Sequence, residues 1–518
     1  MTTPLRSVVI VGGGTAGWIT AGTIAAKHHA ASEFGIKVTL IESPDIKPIG
    51  VGEGTWPTMR GTLRKMGISE TDFLRECDAA FKQGAKFAKW VDGSEDDFYY
   101  HPLVLPAGFH QGNMAPYWQQ HPHEKSFSQA VCYQEALCEN GLAPKSMTTP
   151  EYEAVANYAY HLNAGKFSEF LKKHCLTRLG VAYISDNVIK INSADNGDIA
   201  FVSTNNHGDV AGDLFIDCTG FRSLLLGEHY KVPFVDKTDV LFIDTALAVQ
   251  APYATENCSI ASHTISTAQE AGWIWDIGLQ SRRGIGHVYS SRHTDDEKAE
   301  QALFRYLEAT VGKSAANCSV RKIPITAGHR KLFWKNNCVA VGLSAGFLEP
   351  LEASALVLVE LSAEMISDQL PRCREVMDTI AKRFNETFQY SWDRIIDFLK
   401  LHYILSKRTD NQFWIDNRDP ATIPDSLKEL MDLWRYQHPW DHDFTSRCEV
   451  FPAASYQYVL YGMGFKTRSD HIRLTEADIE FARRQLSDNE RMIQRVVSSL
   501  PAHRELLNKV HQYGFQKI

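Results

Sequence analysis

Long apolar runs are missing from this 518-residue chain. The longest candidates are cut by charges such as Glu360, so no stretch reads as a membrane span. Positive charge is also short. Lys and Arg number 54 against 62 Asp and Glu, a net charge of −8 that argues against nucleic acid or an anionic membrane as partner. The ten cysteines form no CxxC pair, which excludes the usual zinc and disulfide frameworks and suits reduced thiols in a cytoplasm. The first apolar run is only four residues long, too short for a signal peptide. Beyond Leu356, repeats, low-complexity tracts and an obvious linker are absent too. With 44% hydrophobic and 22% charged residues, the composition is that of a globular chain with room for one large core and two interlocked domains.

What is present begins at Ser7. Val8, Val9, Ile10 and Val11 form a β-branched run suited to a parallel strand buried on both faces. Gly12, Gly14 and Gly17 follow in GxGxxG spacing, with Thr15 and Ala16 between them, and Trp18 to Ala26 reads as a helix. Strand, glycine turn and helix start, in that order, bring backbone N–H groups and a positive helix end against a pyrophosphate. The next strand, Lys37 to Ile41, ends at Glu42, which lies 25 residues past Gly17, near the spacing at which an acid binds an adenosine ribose. The set predicts a dinucleotide site. A lone GxGxxG would equally suit a tight strand-to-helix turn in any α/β sheet.

Further along, Gly50, Gly52 and Gly54 allow a backbone to approach something flat and bulky. Pro57 suits the first turn of a helix over Met59 to Met66, and Ser69 with Asp72 resembles a capping start for another. The pattern carries that second helix toward Lys82, and Ala85 to Trp90 then alternates as a strand, so Lys82 is expected at a helix-to-strand junction. Residues 91–150 show no period and read as a long excursion covering a site. Their four histidines, His101, His110, His121 and His123, fit no common ligand spacing, and no metal is expected. A helical pattern spans Tyr158 to Cys175, and short strands follow at Ala182 to Ile184, Ile189 to Asn192 and Ile199 to Ser203, with the run Asp213 to Gly220 closing the section. Alternating strands dominate from about 240 to 330, including Trp273 to Gly278. Val339 to Gly342 is one more buried strand, feeding a second small-residue turn through Ser344, Ala345 and Gly346 to Leu351 and Glu352. Beyond Leu356 the chain is mostly helical.

Seven of these pieces, in order, resemble the flavin-dependent tryptophan halogenases over nearly the whole chain. They are the glycine turn with Trp18, GVGEGTWP at 50–57, the lysine in AAFKQGAKF, YYHP at 99–102, DCTGFRSLL at 217–225, the WxWxI run, and GLSAGFLEPLEAS at 342–354. The resemblance implies an α/β fold: a doubly wound, Rossmann-like FAD-binding domain of the aromatic-hydroxylase and glutathione-reductase type, with an additional mixed sheet and a mainly helical C-terminal part. Residues 1–360 would form the FAD-binding and catalytic core and 361–518 the helical part lining a substrate pocket. It implies that molecular oxygen, activated at reduced FAD, oxidises halide to hypohalous acid, which reaches a separate aromatic-substrate pocket. Lys82 matches the lysine that holds or activates the halogen, and Glu352 the carboxylate that stabilises the cationic ring and takes its proton. Trp273 and Trp275 match a pair that walls off the flavin, and His101 with Leu103 a substrate-stacking position. Gly12, Gly14, Thr15, Ala16, Gly17, Glu42, Gly50, Gly52, Gly342, Ser344, Ala345, Gly346 and Leu351 fall where the FAD would lie.

The plainer reading of Lys82 is a surface charge, of Glu349 and Glu352 a solvated helix face, and of the two tryptophans a strand with aromatics on one face. Two positions depart from the family pattern: Gly278 stands where proline is usual, and Ala353 replaces the serine beside the glutamate. Members acting on free tryptophan carry a Tyr-Tyr pair and a nearby acid toward the C-terminus. Here the matching stretch holds Tyr456 and Tyr458 without an adjacent pair, and the next acid is Glu476. The expected substrate is therefore an uncharged, indole-type aromatic, with reduced FAD arriving from a separate flavin reductase. A homodimer is kept open beside the monomer. A flavin-dependent ring hydroxylase, or a silent flavin-binding member of the family, are the alternatives.

Overall fold

The computed structural model describes residues 4–46, 52–121, 125–444, 446, 449–468 and 473–516. These fall into two compact units, each assembled from three stretches of chain: Met1–Ala79, Leu162–Lys237 and Thr326–Trp392 in the first, Ala80–His161, Thr238–Ile325 and Asp393–Ile518 in the second. The sequence pattern, by comparison, places one boundary, after residue 360.

The first unit is built on a six-stranded sheet ordered Trp334–Lys335, Cys338–Ala340, Leu214–Asp217, Ser7–Val11, Lys37–Glu42, Ala182–Ser185. All neighbours are parallel except the first pair. Ser7–Val11 lies in the middle, with Ile10 opposite Ile216 on one side and Leu40 on the other. Val8, Ile10 and Leu40 are fully buried, each of the order of 1.5–3 kcal/mol of apolar transfer. The helix Thr15–Lys27 packs on Ala164–Arg178 and Ser354–Asp368. This is the doubly wound architecture that the resemblance implies, with the strand of the glycine turn at its centre. The described cysteines are all free thiols.

The second unit carries a seven-stranded mixed sheet, Arg321–Pro324, Thr245–Pro252, Arg282–Tyr289, Gly272–Gly278, Thr264–Gln269, Gly84–Ala88 and Phe98–Pro102. Its one parallel pair is Thr264–Gln269 with Gly84–Ala88. The C-terminal helices Asp425–Trp434, Ala453–Gly462, Glu476–Ser499 and His503–Tyr513 belong to this unit. No described helix is long and apolar enough to cross a membrane.

Four local expectations are corrected. The helix over Ser69 and Asp72 ends at Glu76, because Asp78 adopts a left-handed conformation, φ 51°, and breaks it. Lys82 therefore closes a short strand, Ala80–Lys82, not a helix. Ala159–Asn163, expected as the start of a helix, is the strand that pairs with it, Lys82 opposite Ala159. The helix begins only at Ala164, where the Asn163 side chain accepts from the Lys166 N–H. Among its described residues, the aperiodic stretch 91–150 contains the strand Phe98–Pro102 and the short helices Ala115–Gln120, Phe127–Val131 and Gln134–Glu139, each too brief to leave a period. Within the strand-rich stretch sits a 16-residue helix, Asp296–Val311, capped by Asp295 and burying Ala299, Leu303, Leu307 and Val311 at helical spacing.

Glu360, the charge that interrupts the apolar run, is buried on the helix Ser354–Asp368. The hydroxyls of Thr58 and Thr62 donate to it at 3.2 and 2.5 Å, and burial pushes its carboxyl up from 4.5 to about 8. It is a neutral acid in the native state at pH 7. A raised native pKa means that the folded chain binds the proton more tightly, so stability falls as pH rises from about 4.5 to about 8 and levels off above. The contribution has a slope of up to about 1.4 kcal/mol per pH unit. In Glu360→Gln, thermal melts across this range are expected to lose that slope and to exceed the parent at pH 8; an unchanged pH dependence would refute the assignment.

Candidate functional site

In the first unit, Gly12 donates its N–H to the Ile41 carbonyl at 2.8 Å and turns with φ 116°. A Cβ there would lie 2.1 Å from the Cys218 carbonyl oxygen, and one on Gly17 would lie 1.9 Å from the Gly12 oxygen. These two glycines let strand and helix close on each other. Gly14 differs: a Cβ on it would meet nothing within 4 Å. The helix Thr15–Lys27 starts there with no side-chain cap and no acid in its first turn. Its N–H groups at Thr15, Ala16 and Gly17 thus present a positive end to an open space.

Glu42 ends the second strand and accepts from the Lys172 ammonium at 2.7 Å and the Tyr183 hydroxyl at 2.8 Å. Its side chain lies against Gly13, where a Cβ would come within 2.3 Å of the carboxyl carbon. The sequence reading missed Gly13, Lys172 and Tyr183. The middle glycine of the GGG run, which the GxGxxG spacing does not require, is the signal that could have pointed to Gly13; Lys172 and Tyr183 lie far along the chain.

The turn Gly342–Ser344 follows the strand Cys338–Ala340. Gly342, φ 72°, sits so close to the first helix that a Cβ would be 2.8 Å from that of Ala16. The two small-residue turns are thereby brought together. The Ser344 hydroxyl is fully buried with no hydrogen-bond partner among the described residues. Ala345 and Gly346 continue against Gly328–Arg330, Arg330 donating to the Ala345 carbonyl at 2.7 Å. Gly52 is buried, and Gly50 lies outside the described residues. Open space at Gly14, an uncapped helix start and a buried hydroxyl at Ser344 together fit a dinucleotide such as FAD.

Leu351 is buried, and Glu352 and Ala353 after it have φ 63° and 55°. Two consecutive left-handed residues without glycine are strained by roughly 1–2 kcal/mol each. They lift Glu352 out of the path of the helix that starts at Ser354. The Trp56 indole holds the distortion by donating to the Glu352 carbonyl at 2.9 Å. Glu349 and Glu352 are 1% and 9% exposed, so neither is on a solvated helix face.

In the second unit Lys82 is 3% exposed, which removes the surface-charge reading. Phe81 before it donates its N–H to His503 Nε2 at 3.0 Å. Trp273 and Trp275 are buried on one strand, ring centroids 6.5 Å apart and planes at 66°. Gly286 on the neighbouring strand makes room for Trp275, since a Cβ there would lie 2.1 Å from its ring. Gly278 has a packing reason too: a Cβ would come within 2.9 Å of Ile260 Cγ2.

His101 bonds Ser455 Oγ through Nε2 at 2.9 Å, and its ring lies 5.8 Å from Phe398 and 6.2 Å from Tyr458. Leu103 is fixed by its N–H, which donates to Gln134 Oε1 at 2.8 Å. The Tyr458 hydroxyl is spent on the Val104 carbonyl at 2.9 Å, and the Tyr456 ring packs against Phe398, Trp434 and Phe444. No group of three or more His, Cys, Asp or Glu among the described residues is arranged to hold a metal. The residues expected at the cofactor thus lie in the first unit with Glu352, and those expected at the substrate in the second with Lys82.

A family model described as tryptophan halogenase matches residues 7–478. Among curated proteins, the tryptophan 6-halogenase SttH of Streptomyces toxytricini is 32% identical, covering 96% of this chain and 97% of its own. Among solved structures, a tryptophan halogenase from Shewanella frigidimarina is 50% identical with a TM-score of 0.97, covering 100% of this chain and 99% of that one. BrvH, a flavin-dependent halogenase from a Brevundimonas species, is 32% identical with a TM-score of 0.85, covering 98% and 99%.

Proposed function

Since the chain belongs to the tryptophan halogenase family, we propose that this flavin-dependent halogenase, an oxidoreductase using FAD and halide, acts on an uncharged indole-type aromatic in preference to free tryptophan. Bound FAD, delivered in reduced form by a separate flavin reductase, would activate molecular oxygen, the oxidant that turns halide into hypohalous acid with release of water. The turns at Gly12–Gly17 and Gly342–Gly346 hold the cofactor, with Glu42 on its ribose. Trp273 and Trp275 keep its reactive end apart from the substrate. His101 and Leu103 orient the flat ring, with Tyr456 and Tyr458 shaping the aromatic wall behind it. Lys82 holds the hypohalous acid against that ring and donates to its oxygen. Glu352 stabilises the positive charge that develops on the ring and takes up the departing proton.

The substrate reading rests on one observation. The helix Ala453–Gly462, buried from Ala453 to Tyr461, offers rings but no charged side chain, and the Tyr458 hydroxyl is already committed to the backbone. Taking a zwitterion from water requires charge partners. One missing charge-assisted bond is worth roughly 1.5–3 kcal/mol, about a tenfold to hundredfold preference for the neutral ring. Equal indole and tryptophan, competing under limiting reduced flavin with bromide, are expected to give mainly haloindole. Product mainly from tryptophan would overturn the reading.

A further inference from the structure

Two polar side-chain atoms near Lys82, Gln83 Oε1 and His263 Nδ1, are buried without a hydrogen-bond partner among the described residues, and beside them His161 interacts with the Gly278 backbone and Ser262 with Cys138. They are clustered by the fold. Gln83 follows Lys82 and donates its N–H to the Ser262 carbonyl at 2.6 Å. His161 stands opposite Ala80 where Lys82 stands opposite Ala159, so lysine and imidazole share one face of the strand pair. The other nitrogen of His161 lies 2.8 Å from Thr264 Oγ1, next in sequence to Ser262 and His263. Buried polar atoms left over in this way are what ordered water satisfies inside a protein.

Among the described residues, Tyr100 links the cluster to solvent. Tyr100 Oη is 3.4 Å from His263 Nε2 and also donates to the Glu139 carboxylate. The side chain of Glu139 is 43% exposed and paired with Lys86 at 2.6 Å. The Tyr100 hydroxyl thus stands between a buried imidazole and a carboxylate in contact with solvent.

We infer that this chain of groups, from Glu139 through Tyr100 and His263 to a water-holding chamber lined by His161, Ser262 and Gln83, is the path by which Lys82 recovers its proton between turnovers. The inference rests on the proposed role of Lys82. When the lysine ammonium gives a proton to the oxygen of hypohalous acid, the oxygen–halogen bond breaks, the carbon–halogen bond forms, and the oxygen leaves as water. The ring proton goes to Glu352, and Lys82 is left as a neutral amine. A proton from solvent enters at Glu139. Tyr100 accepts it while turning its own hydroxyl hydrogen to His263 Nε2. His263 releases its Nδ1 proton to the chamber, and water there passes one to the amine. The imidazoles suit this task because they are neutral at rest. Burial, with the Lys86 charge second, pushes His263 down to about 3. Burial, with the Lys82 charge second, holds His161 well below its usual range. Lys86, Glu135, Cys138 and His503 also face this network. His503 stands outside the path because both its nitrogens are committed to backbone, to Phe81 and to Ile260.

Tyr100→Phe keeps the ring and removes the link, and Glu139→Gln alters only a half-exposed side chain. Indole, bromide and enzyme are mixed with one equivalent of reduced FAD, then with an excess supplied by a reductase. In both variants the first turnover is expected to match the parent, because Lys82 starts protonated. The steady-state rate should fall by about tenfold or more, with a solvent deuterium effect confined to later turnovers. Equal loss in both phases would mean a structural role, and an unchanged steady state would mean no relay; either result overturns the inference. Failure of the parent to halogenate at all would instead reject the proposed function.

Discussion

Lys82→Ala protein is expected to oxidise reduced FAD and produce hypohalous acid as the parent does, while making at least about a hundredfold less halogenated aromatic product. The argument starts from burial. A lysine 3% exposed on a three-residue strand is not a solvated charge, and such a residue is rarely kept inside without a task. It sits in the unit that also holds Trp273, Trp275 and His101, whereas the glycine turns lie in the other unit. Removing it should therefore spare the flavin half of the reaction. Truncating a buried residue also leaves a cavity, so Lys82→Met, similar in volume and uncharged, is the companion variant. Both should release free hypohalous acid, detectable by monochlorodimedone, in place of haloindole. Haloindole formation near the parental rate in the methionine variant would show that Lys82 is structural. Loss of flavin oxidation together with halogenation would show that it acts at the cofactor.

What was legible in the sequence was local. The strand Ser7–Val11, the glycine turn and the helix after it are contiguous, and their apolar and small residues are dictated by burial and backbone contact within a few positions. What was not legible depends on partners far along the chain. Leu74, Cys77 and Phe81 recur at helical spacing, yet Phe81 is buried because Ala80–Lys82 pairs with a strand some 80 residues later. Asp78 breaks the helix by adopting a left-handed backbone conformation, which no periodicity records. Gly286 carries no motif, but its missing side chain is the space that Trp275 fills. Lys172 and Tyr183 are ordinary residues of a helix and a strand until the sheet brings them onto Glu42. The proposed catalytic role of Glu352 is legible only through the family resemblance, and its left-handed backbone is a further mark that only coordinates carry.

The three glycines of the fingerprint do different jobs, and that difference makes a sharp test of cofactor binding. Gly12 and Gly17 are required by the protein itself. Side chains there would strike the Cys218 and Gly12 carbonyls at 2.1 and 1.9 Å, so substitution should unfold the strand–helix junction whether or not a ligand binds. Gly14 has an ordinary φ of −74° with ψ −177°, and a side chain on it would meet no protein atom within 4 Å. Valine at this position is compatible with the backbone, and it projects into the space before the uncapped helix start. A pyrophosphate approaching the N–H groups of Thr15, Ala16 and Gly17 would have to enter that space. Losing two charge-assisted bonds, at roughly 1.5–3 kcal/mol each, corresponds to a weakening of about a hundredfold or more. Gly14→Val is therefore expected to melt, without FAD, within about 2 °C of the parent, since surface changes stay near 0.5 kcal/mol. Its FAD dissociation constant, followed by flavin fluorescence, should rise at least a hundredfold. Gly17→Val should show the opposite order, losing stability before affinity can be measured. Parental FAD affinity in Gly14→Val would place the pyrophosphate elsewhere and remove the cofactor assignment on which the division of labour between the two units depends.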